Sequence, residues 1–105
     1  MGEHEEGDRS AIRERLEATL GPVLFSDLAA HLRRGAVLVV AGGRSLIECA
    51  IAIAEDDAAE VKAWIDRGDL RRASEDEAAT WSASPGRTWI AVVVQPYVLV
   101  QDPPD

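Results

Sequence analysis

Three consecutive acids, Glu55, Asp56 and Asp57, end an aliphatic run and open the pattern AEDDAAEVKAWIDRG. Carboxylates at that density offer hard oxygen ligands to Mg²⁺ or Mn²⁺. They also suit an exposed acidic corner that meets another protein, or a joint between two helices. Consecutive residues seldom all converge on one ion, and no His-rich segment or second acidic cluster accompanies them. His4 lies near the N-terminus and His31 in a helical run. The spacing favours the joint. Ser45 and Glu48, Asp57 and Glu60, and Ser74 and Glu77 are each three apart. In that capping-box spacing the first side chain accepts from the N3 amide while the N3 carboxylate reaches back to the cap amide. Glu48, Asp57, Glu60 and Glu77 are thereby accounted for without catalysis. Asp56 falls just outside its cap, in the favourable field of the helix N-terminus. Glu55, at the C-terminal end of the preceding helix, is the least well explained.

The remaining reactive types lead to bland expectations. Cys49 sits inside LIECAIAIA with no cation or histidine nearby in sequence, which predicts a reduced, buried thiol rather than a nucleophile. The loop AGGRSL, between an apolar strand and a helix start, invites an anion. It lacks both the GxxxxGK and the full GxGxxG pattern, and a Ser45–Glu48 box would use the amides that a phosphate needs. Arg71 and Arg72 read as solvated charge or ion-pair partners, and Arg67–Gly68–Asp69 as a helix end. Trp64, with Val61 and Ile65 on one helical face, is expected in the core. Trp89 and Tyr97 flank an apolar strand and suit either core or interface.

Positioning these residues requires about five short helices. They are predicted over AIRERLEATL, over FSDLAAHLRR with Ser26 as N-cap, over 45–55, over 57–67 and over 74–81. Gly35 and Gly68 supply left-handed exits. The stretch 36–41, AVLVVA, is apolar throughout and reads as a strand covered on both faces. TWIAVVVQPYVLVQ carries the strongest β signal, with strands at 88–95 and 97–101. Pro96 cannot donate to a ladder, so it marks an edge, a bulge or a switch of partner. The expected fold is α+β: a small two- to three-stranded sheet packed with the helices as a single layer pair. The domain is placed at 9–102, with an acidic disordered tail at 1–8 and a short tail at 103–105.

A chain of 105 residues with 47% hydrophobic composition fits one globular domain. Eleven Lys and Arg against 19 acids give a net charge of −8, which repels nucleic-acid phosphates and anionic lipid heads. Neither nucleic acid nor membrane is expected as a partner. MGEHEEGDRS has no basic or apolar leader region, which predicts a cytoplasmic protein. No cofactor and no metal are expected.

The segment AIAEDDAAEVKAWIDRGDLRRASEDEAATW, followed by WIAVVVQPYVLVQ, resembles a bacterial family described as domain of unknown function 2288. The resemblance rests on Ala54 to Asp57, Val61, Trp64, Gly68, Leu70 and Pro96 to Gln101, and covers about residues 22–102. AGGRSL departs from the family pattern, which has an acidic residue before the buried helix, so no role passes to Arg44 or Ser45. The resemblance implies a bacterial cytoplasmic protein and supplies no activity, cofactor or catalytic residue.

The leading functional expectation is a non-enzymatic protein-interaction module that self-associates. A sheet this small leaves an apolar face or edge to cover, so a homodimer is expected, with residues 89–101 at or near the interface. The candidate surface residues are Glu55, Asp56, Asp57, Trp89, Pro96 and Tyr97. The alternative is a small metal- or nucleotide-dependent enzyme using Glu55, Asp56 and Asp57.

Overall fold

A computed structural model of the chain describes the backbone over residues 2–101 and the side chains over residues 10–101. The described residues form five helices and five strands in the order α1 (Gly2–Thr19), β1 (Gly21–Leu24), α2 (Phe25–Arg33), β2 (Val37–Val40), α3 (Leu46–Ala54), α4 (Ala58–Asp66), β3 (Leu70–Arg72), α5 (Glu75–Ser82), β4 (Thr88–Val94) and β5 (Tyr97–Gln101). The strands form one mixed sheet in the order β1-β4-β5-β2-β3, with β2 and β5 parallel and the other pairs antiparallel.

The fold is therefore α+β as expected, but the sheet has five strands rather than two or three. The two strands missed are short and chemically disguised. β1 is GPVL, whose Gly21 and Pro22 read as a helix stop. β3 is LRR, with one apolar residue. Both are strands because a neighbour pairs with them, a context that local composition does not carry.

The expected single layer pair is corrected to three layers. Period-two alternation sends Val40, Val92, Val94 and Leu99 to one face, where α1, α3 and α4 pack on them through Leu16, Ile47, Cys49, Ala50, Ile51 and Trp64. Val37, Val39, Trp89, Ala91, Val98 and Val100 point to the other face, under α2 and α5 through Leu28 and Trp81. Burial on both faces explains why β2, β4 and β5 read as unbroken apolar runs.

Residues 89–101 consequently have no edge. β4 lies between β1 and β5, and β5 between β4 and β2. Pro96 sits with Gln95 in the two-residue turn of the β4–β5 hairpin, across a cis peptide, with Val94 paired to Tyr97. At the N-terminus, α1 runs back to Gly2, through the segment expected as a tail. The tail expected at 103–105 lies outside the described residues.

Candidate functional site

The acidic corner resolves into two helix ends joined without a spacer. At the end of α3, Asp56 N–H donates to Ile53 O at 3.0 Å and Asp57 N–H to Ala52 O at 2.9 Å. That pair of bonds is the Schellman closure of a helix C-terminus. It requires a left-handed residue, and Asp56 supplies it with φ of 57°. Asp57 is at once the next N-cap, its Oδ1 accepting from Glu60 N–H at 3.2 Å. Glu55 is the C-cap residue of α3. Among the described residues, no group of three or more His, Cys, Asp and Glu side chains is disposed to hold a metal ion.

Asp56 therefore carries a testable conformational cost, since an L-residue in the left-handed region pays about 1–2 kcal/mol, less for Asp and Asn, which visit it routinely. Asp56→Gly is expected to raise stability by about 0.5 kcal/mol and Asp56→Val to lower it by about 1–2 kcal/mol in urea titrations. A stabilising valine would show that the joint is not held left-handed.

The three expected capping boxes differ in how far they close. Ser74 and Glu77 form the full box, at 3.0 Å in each direction. Ser45 and Asp57 cap as expected, but their N3 carboxylates turn elsewhere. Glu48 pairs with Arg13 of α1, and Glu60 accepts from Trp64 Nε1 at 2.9 Å. A charged or indole donor outcompetes a cap amide that water can serve. Ser26 does not cap α2. The cap residue is Leu24, and Asp27 Oδ2 accepts from its N–H at 2.9 Å.

The glycine-rich loop is also committed to structure. Ser45 Oγ accepts from Glu48 N–H at 3.1 Å, and Arg44 Nε lies 3.2 Å from Asp69 Oδ2, which also accepts from Arg67 Nε at 2.9 Å. The Arg67 hydrogen bond, with Arg44 beside it, holds the Asp69 carboxyl below its ordinary range. Cys49 is fully buried, and burial, with Asp69 and Glu60 adding to it, pushes its thiol up to about 11. It is a packing residue that stays protonated.

What the fold leaves open is a groove of about 780 Å³ beside the β3 edge. Its floor is one end of the first sheet face, where Leu38 and Tyr97 are half-buried and Leu70 is buried. Its wall is α4, through Val61 and Ile65, with Asp56 at one end. Ile65 was expected to face inward with Trp64. It is instead 53% exposed, because Trp64 alone takes the buried stripe of α4. Lys62, Arg71 and Arg72 rim the groove. Lys62 reaches Asp66 at 2.8 Å, and Arg71 chelates Glu77, holding that carboxyl below its ordinary value of 4.5. The Arg72 side chain makes no ion pair among the described residues.

Of the residues singled out in the sequence, Asp56 and Tyr97 meet at this groove. Glu55 and Asp57 line a separate small depression with Glu48, Glu60 and Trp64. Trp89 is buried on the opposite face, and Pro96 is in a turn. Lys62 escaped notice, Ile65 was expected on the inner helical face, and Arg72 was expected as solvated charge or an ion-pair partner. The signal available was LRR itself, a short charged strand whose value depends on its place at the sheet edge.

Comparison with known proteins agrees with this architecture. A protein from Pseudomonas aeruginosa, PA1075, solved in solution by NMR, superposes with a TM-score of 0.75 at 32% identity, covering 91% of this chain and 88% of its own. No curated protein matches the chain. The family model described as protein of unknown function (DUF2288) matches residues 11–102, and the chain belongs to that family.

Proposed function

We propose that this domain is a non-enzymatic protein-interaction module that also self-associates. The observation that carries the interaction reading is the groove. It places an exposed isoleucine and an apolar floor beneath a basic rim, on a chain whose net charge is −8. Apolar surface of that kind, rimmed by polar groups, is characteristic of binding sites. A selection of displayed random seven-residue peptides tests it. Binders to the wild-type domain are expected to lose at least tenfold in affinity on Ile65→Lys. Failure to enrich any such peptide overturns the reading.

Self-association rests on a different surface. Leu20, Leu24 and Ile90 are 41%, 39% and 48% exposed, and register sets Pro22 opposite Ile90 beside Leu24 on one face. Two copies packing these side chains would cover them. Sedimentation velocity at micromolar concentration is expected to show a dimer that Ile90→Lys dissociates. A monodisperse wild-type monomer overturns it.

A further inference from the structure

The three cations that rim the groove are not equivalent. Lys62 is answered by Asp66 and Arg71 by Glu77. Arg72 pairs with no carboxylate among the described residues. Register sets it beside Leu38, and alternation along β3 puts it on the same face as Leu70. That face floors the groove, so the unanswered charge and the apolar surface lie on one side.

The Arg72 side chain runs back over the turn that joins α2 to β2. A Cβ on Gly35 would lie 3.7 Å from Arg72 Cδ and 3.8 Å from its Nε and Nη1. Arg33 and Arg34 immediately precede that glycine, at the end of α2. Arg34 Nη2 donates to His31 Nδ1 at 2.6 Å, and neither arginine pairs with a carboxylate among the described residues. The helix dipole offsets only about half a charge there. One side of the groove thus opens on a basic corner, although the net charge of the chain is −8. At physiological ionic strength charges beyond about 8 Å are largely screened, so the corner rather than the total sets the local potential. Asp56, the acidic residue of the lining, opposes it by one charge.

We infer that the groove binds a small organic anion with an apolar body, its carboxylate held by Arg72 and its hydrocarbon part lying against Leu38, Val61, Ile65 and Tyr97. A guanidinium is a planar fork that matches a carboxylate. The apolar wall is accessible, because Ile65 is 53% exposed and Leu38, Val61 and Tyr97 are half-buried. The volume of about 780 Å³ falls within the range of small-ligand sites, which are mostly apolar with a few polar groups that fix orientation. An uncharged ligand would leave the guanidinium unused, and a cationic one would meet like charge. The inference goes beyond the interaction reading and does not depend on it, since a small carboxylate can bind whether or not a peptide does.

Octanoate is the probe, with octanol and octylammonium as its neutral and cationic counterparts. Each is titrated into the full chain and followed through the amide shifts of residues around the groove. Octanoate is expected to saturate at millimolar concentration, octanol to bind at least fivefold more weakly, and octylammonium not to bind. Arg72→Gln, at an exposed position, should weaken octanoate at least fivefold while leaving octanol binding and the circular dichroism unchanged. Asp56→Asn keeps a residue that tolerates the left-handed conformation and should tighten octanoate about twofold. Equal binding of octanoate and octanol, or an Arg72→Gln variant that binds octanoate as the wild type does, overturns the charge assignment. Preference for octylammonium reverses it. Shifts confined to other surfaces, or no saturation by any of the three, remove the site while leaving the peptide reading to its own selection.

Discussion

Truncating Leu99 to alanine is expected to cost about 3 kcal/mol, within the range of large-to-small changes in closed cores. Leu99 lies on the central strand, in register with Val92 on one side and Leu38 on the other, and is fully buried. Above it are α3 residues that are themselves buried, including Cys49 and Ala50. Neighbours paired on both sides and roofed by a helix cannot collapse into the space, so the cavity penalty adds to the lost transfer energy. For a domain of this size the melting temperature should fall by roughly 15 °C. Urea titration checks this, with the midpoint shifting at constant slope. Ile65→Ala is the internal control: Ile65 is 53% exposed and lies away from the proposed dimer surface, and its truncation should stay within about 0.5 kcal/mol. A Leu99 loss below about 1 kcal/mol would mean that β5 is not held between two layers.

The same central strands were the most legible part of the sequence. VLVV, TWIAVVV and YVLVQ carry β-branched residues in runs too apolar to leave either face wet, and all three pair in the middle of the sheet. The five helices were legible because their ends carry local chemistry. Gly35 and Gly68 have positive φ, and Ser45, Asp57 and Ser74 accept from the N3 amide as their spacing required. What stayed hidden depends on neighbours distant in sequence. Nothing within GPVL says that β4 will pair with it, nor within LRR that β2 will. The partners of Glu48 and Glu60 were equally out of reach. The first is an arginine 35 residues away, and the second an indole one turn on that competed with the expected cap.

The groove was hidden for a related reason. Its floor comes from β2, β3 and β5 and its wall from α4, so it exists only once the strand order is known. Ile65 misled because helical spacing marks several faces as apolar, while only the stripe containing Trp64 meets the sheet. The acids of AEDD drew attention by their density, yet two of them close helix ends. The Asp56 corner matters to the groove mainly by fixing where α4 starts along its wall.

Trp89 gives the second large effect, and here two substitutions should diverge. Its ring is 2% exposed, lies with its centroid 5.1 Å from that of Trp81, and has the Arg87 guanidinium 5.0 Å from its own centroid. Removing the ring as Trp89→Ala is expected to cost about 4 kcal/mol. Yet its Nε1–H is buried without a hydrogen-bond partner among the described residues. A buried donor in that state costs about 1–3 kcal/mol. Trp89→Phe removes the donor and keeps most of the apolar surface, leaving a small void worth about 1 kcal/mol. The two terms oppose each other, so the phenylalanine variant should lie within about 1 kcal/mol of the wild type. Urea titration of both variants separates the contributions, because they share the lost indole but not the lost ring. If phenylalanine costs as much as alanine, the indole N–H is satisfied and the lost interaction is polar. If phenylalanine is neutral or stabilising, Trp89 acts by filling volume beneath α2 and α5, and its place is the interior rather than a surface for a partner.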